Sequence, residues 1–494
     1  WSIMKKVILF VIDSLHPVVL GRILSEGNAP ALRFLAKRGT YIDRVISSFP
    51  TMTPVATSSM ITGVWPDRHG VPGFIWYNEE IRKIVDYGAT SRSVLKIGPE
   101  IVLRNLLIKL NEEHLNPDVP TLYEKLEAGG YSAGNINFFM HRGTHPYRAK
   151  IPFLLDLATG FRLTQEVSGP SHMTLGQLIH PPFSGRAHAY PSGIFNRFGF
   201  NDVFSGKIAA QLVHERKQPD FMVVYFSDND KYSHQHGPLR TGPSIERADQ
   251  QVASVLDEFG SWEKALDETI IIVTGDHAQS TVGLGKKYLI DLDCALKSFK
   301  RLKVTEEASG TDQEIVICPN ERMAFIYFLQ PKKEILTDVV GILVKDSRNA
   351  QIAWRVSENR YCVLQGGTEK RLYFSRVGPY QDVYAQRWSF KGDLSVVDAH
   401  VTGEQIIEFG KFPDAFTRLI SALEARSGNR VVVSAASGYE YLAVGGPIHP
   451  GGGSHGSLEE EDSTVPMIVA GMSISLNYPR IIDLFPMILR HFGL

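Results

Sequence analysis

Five short apolar runs constrain the fold of this chain more than any other feature: "KKVILFVIDS" (5–14), "PDFMVVYFSDND" (219–230), "DETIIIVTGDH" (267–277), "NRVVVSAAS" (429–437) and "STVPMIVAG" (463–471). Runs this short, rich in Val and Ile and closed by Gly or polar residues, read as strands buried on both faces, the pattern of a parallel sheet covered by helices. Helical patterns lie between them. "TLYEKLEAGG" opens with a capping box, Thr121 and Glu124, and stops at Gly129-Gly130. Ile245, Ala248, Val252, Val255 and Phe259 recur at helical spacing along one face. The alternation predicts an α/β fold, a three-layer α/β/α sandwich with a mostly parallel central sheet.

Two regions break the rhythm. Residues 138–205 are rich in Pro, Gly, His and Arg and read as a long surface excursion; residues 295–425 mix short strand-like pieces such as "RMAFIYFL" with charged segments. The expected organisation is a catalytic core built from 4–294 and 426–494, with a surface insertion at about 138–205 and an inserted cap over 295–425. A length of 494 residues suits two or three folding units, and there is no internal repeat.

Composition narrows the function classes. Lys+Arg 52 against Asp+Glu 53 gives a net charge of −1, which argues against nucleic acid or anionic lipid as a bulk electrostatic partner. Cys294, Cys318 and Cys362 are widely spaced with no CxxC, so neither a disulfide framework nor a thiolate zinc site is indicated. Lys5-Lys6 before an apolar run imitates a signal peptide, but Asp13 interrupts that run and no small-residue cleavage site follows. No stretch approaches the roughly 20 apolar residues that span a bilayer. A cytoplasmic location with no membrane span is expected; oligomeric state is not encoded in any feature.

Three of the strands end on acids: "VILFVID" at Asp13, "MVVYFSDND" at Asp230 and "IIIVTGDH" at Asp276-His277. The carboxyl ends of strands are where open α/β sheets bind ligands. One such Asp is an ordinary turn residue or cap; three, two of them with a neighbouring His, point to divalent metal of the zinc or manganese type. Asp230 and His234 lie one helical turn apart. His455 sits in "HPGGGSHGS", where glycines let a backbone approach a crowded site.

The segment "FPTMTPVATSSMITGVWPDRHG" (49–70) carries six Thr or Ser hydroxyls. Pro54 suits the first helical position, which would make Thr53 the N-cap. Thr53 is also a candidate nucleophile, since a helix N-terminus and metal ions could activate its hydroxyl and receive a phosphate.

The order Asp13, "FPTMT", "DNDKYSH", "GDH" and "GGGSHG" resembles the type I phosphodiesterase/nucleotide pyrophosphatase family of the alkaline phosphatase superfamily. The resemblance implies an alkaline phosphatase-like fold and two divalent ions, zinc with manganese as the alternative. Asp230, His234 and His455 would hold one ion, and Asp13, Asp276 and His277 the other. It further implies that Thr53 is the nucleophile, facing the metals. His69 of "WPDRHG" matches a family histidine that is not a ligand. One departure stands out: where the family carries an asparagine for a phosphoryl oxygen, this chain has Phe74, with Asn78 the nearest replacement.

Three Asp against two divalent ions leave the site near +1, which suits a phosphate anion. The expected activity is hydrolysis of phosphodiester or pyrophosphate bonds in small nucleotide-like phosphate esters through a phospho-threonine-type intermediate. A phosphomonoesterase, phosphonate hydrolase or phosphotransferase using the same site is the alternative, and a non-catalytic phosphate-ligand protein is a third class. His236 and His449 are weaker candidates near the metals. His141, Arg142, His145, Arg148 and Lys150 read as a solvated loop, and Trp76 and Tyr77 as packing or a stacking surface.

Overall fold

The computed structural model describes residues 4–150, 165–180, 190–308, 312–330 and 332–494. Residues 151–164 and 181–189 of the expected surface excursion lie outside them.

Seven strands form the main sheet, in spatial order Thr40–Ile46, Thr464–Ala470, Thr269–Thr274, Lys6–Ile12, Phe221–Phe226, Ala133–Ile136 and His172–Thr174. Six run in one direction, and Thr464–Ala470 pairs antiparallel with both neighbours. The apolar runs are continuous because both faces of the sheet are covered. Along the first strand Val7, Leu9 and Val11 enter one core while Ile8, Phe10 and Ile12 enter the other. Such a run carries no signal of strand direction, which is why the reversal of Thr464–Ala470 is invisible in "STVPMIVAG".

The helical readings hold except at Phe259, which lies past the end of the helix Gly242–Asp257. Leu122–Ala128 begins with both halves of the Thr121–Glu124 capping box. Gly242–Asp257 buries Ile245, Ala248, Val252 and Val255 against the second core. Among the described residues no helix is long and apolar enough to cross a membrane.

A second sheet of nine strands runs in the order Ile315–Asn320, Met323–Phe328, Arg430–Ala435, Asn349–Ser357, Arg360–Leu364, Arg371–Asp382, Ile406–Phe409 and Ala399–Val401, with Arg387–Gly392 also paired to Arg371–Asp382. Its pairings are antiparallel except between Arg371–Asp382 and Ile406–Phe409. The run "NRVVVSAAS", read with the main sheet, belongs here: Arg430–Ala435 pairs with Met323–Phe328 and Asn349–Ser357. Burial on both faces gives it the same sequence signature in either sheet. Val432 and Phe325 join the core that also covers Val7 and Leu9, so one apolar body connects the two sheets. The other face of the second sheet is closed by the helix Lys333–Leu343.

Candidate active site

Three adjacent strands of the main sheet deliver the three acids to one crevice. Asp13 follows Lys6–Ile12, Asp276 lies two residues past Thr269–Thr274, and Asp230 stands in the first turn of the helix Asp228–His236 behind Phe221–Phe226. That helix brings His234 Nε2 to 3.3 Å from Asp230 Oδ2. The chain turns after Asp276, whose Oδ1 accepts from the His277 amide at 2.9 Å. His277 Nε2 thereby comes to 3.6 Å from Asp13 Oδ1 and 3.7 Å from Asp276 Oδ2. His455 Nε2 lies 3.8 Å from Asp230 Oδ1, its ring stacked on that of His277 at 4.0 Å. The glycine loop makes this approach possible: a Cβ at Gly452 would meet the His234 carbonyl oxygen at 2.0 Å.

The histidines are oriented from behind. His234 Nδ1 donates to the Gly453 carbonyl at 2.8 Å, His455 Nδ1 to Thr51 at 2.6 Å and His277 Nδ1 to Ala278 at 3.1 Å. A carbonyl accepts only, so each Nδ1 carries a hydrogen and Nε2 is the ring nitrogen that faces inward. Those nitrogens face carboxylate oxygens, and Asp13 Oδ1 and Asp276 Oδ2 are buried with no hydrogen-bond donor. Buried carboxylates gathered on imidazoles need positive charge between them, and oxygen and imidazole donors are what zinc or manganese take. Asp230, His277 and His455 form one group able to hold an ion, Asp13, Asp276 and His277 another, and His234, Glu321 and His449 a third. The residues present therefore fit divalent metal.

The charges tell the same story. Burial, then Asp276 and Asp230, hold the Asp13 carboxyl well above its ordinary range. Burial also raises Asp276, against the pull of His277. At Asp230 burial is outweighed by His234, His455 and His277, and the group is held below its ordinary range. Burial opposes charging of His234, yet Asp230 and Glu321 push it up to about 10, while burial takes His455 down to about 3.

Thr53 Oγ1 lies 3.1 Å from His277 Nε2, beside the acids. Its helix, Thr53–Thr62, begins one residue earlier than expected: Met52 is the N-cap and Thr53 the first helical residue. The amides of Val55 and Ala56 both bond the Met52 carbonyl, so the Thr53 hydroxyl caps nothing and projects into the crevice.

Asn78 sits at a hairpin turn. Its Oδ1 accepts from the amides of Glu80 and Ile81, committing the side chain to the turn of the hairpin Ile75–Asn78/Lys83–Asp86. Phe74 is half-buried against Tyr87, and its amide is bonded to Asn320 Oδ1. Trp76 is buried under the Arg426 guanidinium and Tyr77 packs on Tyr327, so both serve the core. His69 is buried against Ser59, and His236 is exposed on Tyr232. His141 and Arg142 are not a solvated loop: both are buried, His141 on the carbonyls of Ser168 and Leu107 and Arg142 on Glu124 and the Leu115 carbonyl.

Several residues of the centre are absent from the sequence-based expectations. Ser14, left-handed at φ 57°, gives its amide to Asp276 and its hydroxyl to Asp230 Oδ1 at 2.7 Å. Gln279 Nε2 donates to the same oxygen at 2.7 Å, and Tyr225 donates to Asp13 Oδ2. Glu321 reaches the imidazoles from the second sheet, its Oε1 3.4 Å from His455 Nε2. His449, a weaker candidate already in the sequence, is stacked on His234 and directed at Glu440 and Glu321.

Comparison with known proteins places this centre in context. The model of the family described as type I phosphodiesterase / nucleotide pyrophosphatase matches residues 7–397. A 2,3-bisphosphoglycerate-independent phosphoglycerate mutase of Pyrococcus abyssi is 28% identical over 88 residues, 18% of this chain and 20% of that protein, so the match spans about a fifth of this curated relative. Among solved structures, murine ectonucleotide pyrophosphatase / phosphodiesterase 5 superposes with a TM-score of 0.56 at 13% identity, covering 99% of this chain and 95% of that one. The human protein of that name gives 0.55 at 13% identity over the same shares. An inactive form of the murine protein in complex with AMP gives 0.56 at 12% identity over 99% and 95%. At these identities the structures establish a shared fold.

Proposed function

The chain belongs to the type I phosphodiesterase/nucleotide pyrophosphatase family, and from that premise we propose that it hydrolyses phosphodiester or pyrophosphate bonds of nucleotide-like substrates with Thr53 as nucleophile. The observation that carries the reading is the Thr53 hydroxyl, 3.1 Å from His277 Nε2 at the head of a helix and beside two donorless carboxylate oxygens. We assign one divalent cation to Asp230, His234 and His455 and a second to Asp13, Asp276 and His277, with Zn or Mn suiting both sets. Such ions, when bound, neutralise phosphate charge and favour the alkoxide of a bound hydroxyl.

The chain's own groups do the rest. Thr53 Oγ1 forms the bond to phosphorus as the ester bond to the leaving group breaks in line, and water then cleaves the phospho-threonine. Pro54 has no N–H, and those of Val55 and Ala56 are taken by Met52. The Thr53 amide and the positive end of its helix are thus left to meet a phosphoryl oxygen. Ser14, Gln279 and Tyr225 hold the acids in place. Substrate choice is assigned to the parts of 138–205 outside the main-sheet strand His172–Thr174 and to the inserted region 295–425. AMP in a structure of a fold relative is consistent with nucleotide-like substrates.

Thr53→Ala, in protein that still binds metal, is expected to lose at least about 1,000-fold in turnover of bis-p-nitrophenyl phosphate. Unchanged turnover rejects the nucleophile. A second reading, a monoesterase, phosphonate hydrolase or phosphotransferase, draws on Phe74 standing where the family has asparagine while Asn78 is committed to a turn. Preference for p-nitrophenyl phosphate or a phosphonate over the diester would select it.

A further inference from the structure

We propose that Glu321 is a fourth protein ligand of the cation assigned to Asp230, His234 and His455, delivered to the main-sheet crevice by a hairpin of the second sheet. The proposal rests on the two-cation reading above. Glu321 Oε1 lies 3.4 Å from His455 Nε2 and 3.9 Å from His234 Nε2, the two ring nitrogens that face inward. The two carboxylate oxygens divide their duties. Oε2 accepts from the Ser454 hydroxyl at 3.0 Å and from the His455 amide at 3.1 Å, which fixes the carboxylate plane. Oε1 makes neither bond and stands with Asp230 on the imidazole pair. His449 closes the far side, Nδ1 3.3 Å from Glu440 Oε2 and ring 4.1 Å from that of His234.

The backbone supports an assigned role over an incidental counter-charge. Asn320 pairs with Met323, so Glu321 and Arg322 alone make the turn between Ile315–Asn320 and Met323–Phe328. Glu321 has φ +59°, and it occupies the first central position of a two-residue turn, where glycine is the usual choice for positive φ. A side chain there is disfavoured by its Cβ. The surroundings hold it nonetheless: the Arg322 amide bonds the His455 carbonyl at 2.8 Å, the Tyr441 amide bonds the Glu321 carbonyl at 2.8 Å, and the carboxylate is buried. Strain kept at a residue whose oxygen points at two metal-type nitrogens is the pattern of a functional constraint. With Glu321 counted, four carboxylates meet two divalent ions and the centre is formally neutral rather than +1. The second sheet is then joined to the catalytic crevice by the ion itself.

The test uses the full chain stripped of metal and titrated calorimetrically with zinc, as wild type and as Glu321→Gln. The glutamine keeps the size of the side chain and an acceptor for Ser454 and His455, but donates poorly to zinc. One of two binding events is expected to weaken about 100-fold or more, with the other unchanged. Anomalous diffraction from zinc-loaded wild-type crystals needs no variant and should place Glu321 Oε1 about 2.0–2.2 Å from an ion that also touches His234 and His455. Two unaltered binding events in Glu321→Gln, or a carboxylate beyond about 3 Å from that ion, overturns the assignment and leaves the two-cation reading intact. A wild-type chain that takes up no zinc or manganese overturns both.

Discussion

Arg322, beside Glu321 in the same turn, offers a quantitative test of how the two sheets are fastened. Its guanidinium is fully buried, 2.7 Å from Glu459 Oε2 and 2.8 Å from Asp462 Oδ1, and it also donates to the carbonyls of Tyr439 and Ala436. Replacing it with methionine keeps apolar bulk but leaves two buried carboxylates without their shared cation. Neither is stripped bare: Glu459 keeps Lys411 at 2.8 Å and Ser437 at 2.9 Å, and Asp462 keeps Ser280 at 2.7 Å and the Ser457 amide at 3.0 Å. The cost is therefore that of one broken buried network, about 3–5 kcal/mol, and not of two separate pairs. At about 2.1 cal/mol/K per residue, 494 residues give an unfolding entropy near 1 kcal/mol/K, so Tm should fall by about 3–5 °C. Urea unfolding followed by circular dichroism measures the free energy, and thermal melts measure the shift. Adding Asp462→Asn removes one stranded charge and should recover about 1–2 kcal/mol. A loss under about 1 kcal/mol, the value of an exposed pair, or a double variant no more stable than Arg322→Met, refutes the argument.

Two other perturbations probe the centre and the core. Chelation should lower Tm, since Asp13, Asp230 and Asp276 lose their counter-charges, and zinc or manganese at 100 times its Kd should restore about 2.7 kcal/mol per site; an unchanged Tm after verified metal removal contradicts the fit of these residues to cations. His69 is fully buried with Nδ1 accepting from the Val71 amide, and burial lowers its pKa from 6.5 to about 3. The unfolded chain therefore takes up a proton below pH 6.5 that the folded chain refuses, and stability present above pH 6.5 is lost as pH falls toward 3, by about 1.4 kcal/mol per pH unit. His69→Gln should flatten the pH dependence of the urea midpoint between pH 4 and 6.5 by about one proton; an unchanged slope shows that His69 is not the group responsible.

The main sheet and most of its crevice are legible from local pattern. Asp13, Asp230 and Asp276 announce themselves because each terminates an apolar run, and strand ends are where such sheets bind ligands. Asp230 and His234 are tied by helical periodicity, Asp276 and His277 by adjacency. Ser14 and Gln279 are harder, since a single polar residue beside a ligand looks like any turn or loop residue. Glu321 is the clearest omission. "CPNERMAF" can be read as two strands around a two-residue turn, yet nothing local says that the turn lies against His455, 134 positions later.

By itself the chain's sequence determines which stretches are strands covered on both faces, where they stop, and that acids and imidazoles gather at those stops. These are short-range consequences of side-chain periodicity and turn chemistry. Only the tertiary structure decides that Thr464–Ala470 runs backwards, that Arg430–Ala435 joins the second sheet and that Glu321 enters the crevice. A strand buried on both faces is equally apolar in either direction and in either sheet. Glu321 acquires its role from a partner 134 residues away, whose approach is set by packing and not by spacing.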